Sequence, residues 1–298
     1  METMRERFVA IAAELLDSDA RIAVVLADIT AAQFAQAAAR HPDRVINVGI
    51  REQLLIGVTG GLALAGLRPI AHTFPSFLIE RPFEQVKLDI SHQGVGAVLV
   101  STGGSYDMSA EGRTHQAPGD VALLDTLDGW TIQVPGHPDE AELLLRDAAA
   151  RDDRVYLRLS DDSNDAPQAV VPGQFLPVRT GRRATVIAVG PMLQPVLDAV
   201  DGLDVTVLYA VTVRPFDAGA LRRAVLASET ADVVVVEPYL AGTSSREVDE
   251  VLLDLPHRVL GLGVGRAELR RYGTPAEHAA AHGLDPASLR ERIAGYLR

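Results

Sequence analysis

Short apolar, β-branched runs alternate with Ala- and Leu-rich stretches of helical period along most of this chain. Residues 21–27, 44–48, 69–72, 97–101, 131–134 and 155–159 read as strands, and residues 31–40, 51–65, 77–92 and 139–150 as helices between them. Pro138 and the acidic residues behind it open the last of these helices, where the helix dipole favours negative charge. Residues 8–16 are apolar but broken by Glu14, which is the pattern of an amphipathic helix and not of a signal peptide. Strand–helix alternation of this kind predicts an α/β fold with a mostly parallel sheet covered on both faces. The period stops between residues 161 and 182, where Asp161, Asp162, Asn164, Asp165, Pro167, Pro172, Gly173 and Pro177 crowd together. A second alternating unit follows, with strands expected at 184–189, 205–209, 233–237 and 258–262. The expectation is therefore two doubly wound domains, residues 1–160 and 183–298, joined by a linker at 161–182.

A length of 298 residues fits two cores better than one. The 28 Lys and Arg stand against 40 Asp and Glu, a net charge of −12, which argues against nucleic acid or an anionic membrane surface as the main partner. The absence of cysteine excludes disulfides, thiolate metal sites and a cysteine nucleophile. No run approaches the roughly 20 apolar residues of a membrane span, so the expected address is the cytoplasm. No GxGxxG follows a strand and no GxxxxGK[ST] occurs, which leaves nucleotide-binding readings without their motif.

Ligands of doubly wound folds sit beyond the carboxyl ends of the strands, so residues just after strands are the first candidates. Asp28 ends an apolar run, where helix capping alone would account for it. Glu52 follows a strand that turns through Gly49 into an apolar helix. A carboxyl there would be partly desolvated, with a raised pKa and a proton to share. Gly60 and Gly61 lie inside that helix and suggest close packing or the approach of another backbone. Phe74 and Phe77 sit in one loop beside Arg81, two of only seven phenylalanines, and can form a stacking platform for a planar heterocycle. The long polar loop at 102–116 ends in Thr114-His115-Gln116, and His115 is the natural proton carrier near neutral pH.

The order of these features resembles the transketolase family. The strings that carry the resemblance are Asp28-Ile29-Thr30, Gly49-Ile50-Arg51-Glu52-Gln53, Gly66-Leu67-Arg68-Pro69, Phe74-Pro75-Ser76-Phe77, Arg81-Pro82-Phe83-Glu84-Gln85 and Glu111-Gly112-Arg113-Thr114-His115-Gln116. The part resembled is the pyrimidine-binding domain plus the C-terminal domain of thiamine diphosphate enzymes. No Gly-Asp-Gly occurs here, the motif through which the family's other domain holds the diphosphate and Mg²⁺. The resemblance thus implies one subunit of a split transketolase, with a separate diphosphate-binding chain that holds the Mg²⁺ and an α₂β₂ assembly. It implies a ketol transfer between sugars or sugar phosphates. Glu52 would hydrogen-bond the aminopyrimidine and promote the tautomer that activates the thiazolium. Phe74 and Phe77 would stack on the pyrimidine, with Arg81 beside them. Ile50 would line the pocket, Ile29 would bend the cofactor, and Asp28 would lie near the thiazolium. His115 and Glu111 would meet the substrate, and Arg158 a sugar phosphate. No metal ligand is expected in this chain.

Two positions depart from the family. Gly103 stands where transketolases carry a substrate-holding His, and Glu111 stands where they carry an Asp. Both changes point to altered substrate choice. A deoxyxylulose-phosphate-synthase-like condensing enzyme is an alternative. So is the β subunit of a 2-oxoacid dehydrogenase E1, against which Arg51 and the Thr-His-Gln string count. A non-catalytic scaffold or regulatory chain is the alternative outside enzymes, and intact Glu52, Phe74, Phe77 and His115 argue against it.

Overall fold

The computed structural model describes residues 2–298. Strands β1 (Ile22–Leu26), β2 (Val45–Asn47), β3 (Arg68–Thr73), β4 (Val98–Ser101), β5 (Trp130–Gln133) and β6 (Arg154–Arg158) run parallel in the order β5-β6-β4-β3-β1-β2. Helix α1 (Met4–Ser18) precedes β1, and the helices between the strands are α2 (Ala35–Arg40), α3 (Glu52–Leu64), α4 (Phe83–Gln85), α5 (Asp120–Leu124) and α6 (Pro138–Ala150). The alternating sides of β1 explain why both faces need cover. Ile22, Val24 and Leu26 join the core under α1 and α6, with Phe8, Leu16, Leu144 and Leu145, while Val25 joins Leu55, Ile56, Leu78 and Ile90 on the opposite face.

The second unit contains β7 (Leu176–Arg179), β8 (Ala184–Val189), β9 (Val205–Ala210), β10 (Thr212–Arg214), β11 (Asp232–Leu240) and β12 (Arg258–Val264), with α7 (Leu193–Ala199), α8 (Ala218–Leu226), α9 (Ser245–Val251), α10 (Pro275–His282) and α11 (Pro286–Tyr296). Its sheet runs β12-β11-β8-β9-β7, parallel except for β7. Two boundaries differ from the sequence expectation. The 161–182 stretch is not linker throughout, because it contains strand β7. Strand β10 leaves the second unit and pairs antiparallel with β5 at the edge of the first sheet, so the two units share a sheet.

Two expected helices are also redrawn. Asp28 and Thr30 have φ of 65° and 67°, so the chain turns tightly there and α2 starts only at Ala35. The stretch expected as one helix at 77–92 is two π-helical segments, Ser76–Glu80 and Val86–His92, around the short α4. The Arg81 amide donates to Ser76 O five residues back, at 3.1 Å, and Pro82 has no amide with which to continue an α-helix. Gly60 and Gly61 prove to be different cases. A Cβ on Gly60 would stand 2.3 Å from the Asp89 carbonyl, whereas Gly61 faces open space.

Candidate active site

The turns after β1, β2, β3 and β4 gather at the carboxyl edge of the first sheet and carry most of the candidate residues. Glu52 opens α3, where the dipole favours a carboxylate, and it is only 3% exposed. Arg81 Nη1 donates to its Oε2 at 2.9 Å. The widened turn at Ser76–Glu80 brings the Arg81 guanidinium over the Phe77 ring, 4.1 Å from its centroid. Phe77 meets His115 edge-on at 4.9 Å, and Phe74 lies 5.5 Å from His115 and 6.0 Å from Phe77. Glu52, Arg81, Phe77, His115 and Phe74 thus form one continuous set of contacts, although they come from three separate segments. His115 Nδ1 is also hydrogen-bonded to Thr114 Oγ1 at 3.0 Å.

Asp28 and Asn47 bond reciprocally at 3.0 Å, each through a side-chain oxygen, which leaves the Asp28 carboxylate exposed at the rim. Ile29 is half-buried beside it, and Ile50 is 72% exposed. Leu54 and Leu64 continue the exposed apolar face along α3. The hydroxyls of Thr73, Ser76 and Thr102 are buried without a partner at the ends of β3 and β4. A buried carboxylate, an aromatic flank, an exposed Ile and unsatisfied hydroxyls at one sheet edge fit the aminopyrimidine half of thiamine diphosphate. Glu52 would hold its ring nitrogen, with Phe74, Phe77 and Ile50 along its faces and edge.

The substrate-facing candidates divide. Glu111 is exposed on the loop. Gly103 has φ of 75°, and a Cβ there would lie 2.8 Å from Met108 Cγ, so Met108 occupies the direction a side chain would take. Arg158 is a correction. It is 1% exposed, donates to Asp120 Oδ2 and Ser105 Oγ at 2.7 Å each, and lies over the Tyr239 ring. Its guanidinium is committed to the interior, where Tyr156 also donates to Asp120 at 2.7 Å, and is not presented to a sugar phosphate.

Sequence reasoning passes over three supporting residues. His72 is fully buried; its Nδ1–H donates to Val100 O (2.8 Å), which leaves Nε2 to accept from Thr30 Oγ1 at 3.0 Å. Arg5 in turn donates to Thr30 Oγ1, so this chain of bonds fixes the turn that bears Asp28 and Ile29. Burial pushes the His72 imidazole down to about 3, so the ring is neutral. Asp107, in the 102–116 loop, accepts from Ser160 Oγ (2.7 Å) and the Asp161 amide (2.9 Å), and burial, with Asp161 nearby, pushes its carboxyl up to about 7. Asp120 is the third. A lone His or Asp in or after a short apolar strand carries no motif that would single it out.

Comparison with known proteins bears on this geometry. The family model described as the transketolase pyrimidine-binding domain matches residues 2–164, and the model for the transketolase C-terminal domain matches residues 173–289. An uncharacterized 33.6 kDa protein of the fasciation locus of Rhodococcoides fascians is 54% identical, over 95% of this chain and 91% of that one. One of the subunits of the apulose-4-phosphate transketolase of Actinobacillus succinogenes is 29% identical, over 96% and 94% respectively. The 1-deoxy-D-xylulose-5-phosphate synthase of Alkalilimnicola ehrlichii is 32% identical, but the match covers only 42% of that longer protein. Among solved structures, a split-gene transketolase, described as an inactive β4 tetramer, superposes with a TM-score of 0.85 at 25% identity, covering 100% of this chain and 99% of that one.

Proposed function

Because the chain belongs to the transketolase family, as the split-type subunit that carries the pyrimidine-binding and C-terminal domains, we propose that it supplies one side of a thiamine diphosphate site. A separate diphosphate-binding chain, which also holds Mg²⁺, supplies the other. The assembly transfers a two-carbon ketol unit from a ketose to an aldose-type acceptor and has a cytoplasmic address. The bound cofactor supplies an electron sink for the carbon–carbon bond that is broken and remade.

This chain's residues then have defined tasks. Glu52 hydrogen-bonds the aminopyrimidine nitrogen and holds a proton there in a site screened from water. Arg81 positions that carboxylate and stacks on Phe77. Phe74 and Phe77 form the apolar flank, and Ile29, Ile50 and Asp28 complete the rim. His115, held against both phenylalanines, moves a proton at the substrate oxygen, and Glu111 meets a hydroxyl. The exposed face of α3, with Leu54 and Leu64, together with Ile50 just before the helix, is where copies of the chain meet in an α₂β₂ unit.

The observation that carries this reading is the unbroken contact set from Glu52 through Arg81 and Phe77 to His115. The name of the apulose-4-phosphate transketolase describes a relative that acts on a phosphorylated sugar, which makes an anionic sugar the first substrate class to try. The test is to co-express the chain with its diphosphate-binding partner and screen ketose donors and aldose acceptors with and without thiamine diphosphate. Cofactor-dependent exchange of a two-carbon unit supports the reading. A purified complex that binds the cofactor and exchanges no ketol unit with any donor contradicts it.

A further inference from the structure

With Arg158 buried, the anionic end of a sugar needs another partner, and two segments of the chain bring three candidate side chains together at the rim of the site. Segment 266–273, between β12 and α10, lies along the Thr-His-Gln loop. Ser109 Oγ donates to Gly273 O at 2.8 Å. The Tyr272 ring covers Gly112 so closely that a Cβ there would stand 2.8 Å from Cε1. Between segment and loop runs a groove of about 390 Å³, with Glu111, Arg113 and Thr114 on one wall and Arg270 and Arg271 on the other.

The three guanidiniums are sparsely bonded. Arg113 reaches the Gln116 carbonyl at 3.4 Å and Arg271 the Glu277 carbonyl at 2.9 Å, and no carboxylate pairs with any of the three among the described residues. In a chain of net charge −12, the groove's own lining carries three cations and one carboxylate, Glu111, while Glu80 near Arg113 and Glu277 near Arg271 stand outside that lining and offset part of the positive field. Guanidinium forks match a tetrahedral oxyanion, which accepts two parallel bonds from each. Thr114, on the groove wall, adjoins His115, so an anion held here sits at the far end of a ligand whose reacting atoms lie at His115.

We propose that Arg113, Arg270 and Arg271 bind the phosphate or sulfonate end of the sugar substrate in this groove, which makes the C-terminal domain part of the substrate site. The proposal rests on the reading that His115 faces the substrate.

The test has two arms. Inorganic phosphate and sulfate are titrated into the intact chain, wild type and Arg270→Ala/Arg271→Ala, with Arg182→Ala as a surface control. Removing two charge-assisted contacts should weaken oxyanion binding about tenfold or more, with the control unchanged. In the reconstituted complex, the double variant should raise KM for a ketose phosphate or ketose sulfonate at least about tenfold more than KM for the same ketose without the anion. Whichever anion suffers the larger loss identifies the source. Equal oxyanion affinity in wild type and double variant, or equal loss for charged and uncharged sugars, overturns the proposal. If the complex proves catalytically inert the function reading fails, and the titration still decides the groove.

Discussion

At the first turn of α3 the Glu52 carboxylate is buried against Arg81, and that pairing separates two substitutions. Glu52→Gln keeps the shape and removes the exchangeable proton, so turnover of the reconstituted complex should fall at least about 100-fold while assembly persists. Unchanged turnover would refute the role given to Glu52. Arg81→Ala instead leaves the carboxylate buried without its cation. Since Arg81 is itself 42% exposed, the cost should be modest, about 1–3 kcal/mol in urea unfolding of the chain, with Arg81→Lys recovering part of it. A third substitution concerns Gly103. Gly103→His would install the family's residue, yet the positive φ and Met108 leave no room. It should lower turnover for every sugar tried, and a gain on pentose phosphates would contradict the account. That Glu52, Phe74, Phe77 and His115 lie in segments following strands is legible in the sequence, and the structure brings them into contact; the roles given to them are the proposal. The surroundings of Arg158 are not legible, because an arginine in a strand does not announce which way it points, and its partner Asp120 lies 38 residues away in sequence.

Elements are legible where burial alone decides them. The near-continuous apolar strands and the amphipathic α1 and α6 come through because both sheet faces must be covered. The segment at 76–92 does not, since a π-helical turn has no period of its own and here depends on Pro82 and on packing beneath α3. Gly60 and Gly61 make this packing testable. Gly60→Ala drives a methyl into the Asp89 carbonyl and should destabilise by about 2–3 kcal/mol, whereas Gly61→Ala should stabilise the isolated chain by up to about 1 kcal/mol. Thermal denaturation of both variants checks the contrast, and equal effects would mean that α3 packs otherwise. The loop at 102–116 has its own signature in pH. The Asp107 carboxyl titrates near 7 when folded against an ordinary 3.8 when unfolded. The folded state then binds the extra proton between these values, and stability from this group is full below about 4 and lost as pH rises through 7. His72, lowered from 6.5 to about 3, works in the opposite sense over the acid range. Comparing wild type with Asp107→Asn isolates the first effect. The wild type should lose stability relative to the variant between about pH 4 and 7, with no further change above that, and parallel curves would show that Asp107 is ordinary.

On the scale of the whole molecule, the two alternating units are visible in the sequence, but their interlocking is not. A three-residue strand such as β10, which crosses to the first sheet, is too short to carry a pattern, and β7 hides in a Pro-rich stretch. The consequence is that the C-terminal domain grips the loop that bears His115 directly. Ser105 Oγ donates to Pro238 O, the Leu240 amide donates to Pro118 O at 2.7 Å, and Tyr106 stacks near His278 and His282. What this chain does not contain is a Gly-Asp-Gly motif to hold a diphosphate. The most direct measurement is therefore thiamine diphosphate binding with Mg²⁺, by calorimetry, to the chain alone, to its diphosphate-binding partner alone and to the two mixed. A site divided between two chains predicts tight binding, and ketol transfer, only in the mixture. Tight binding with turnover by this chain alone would contradict it.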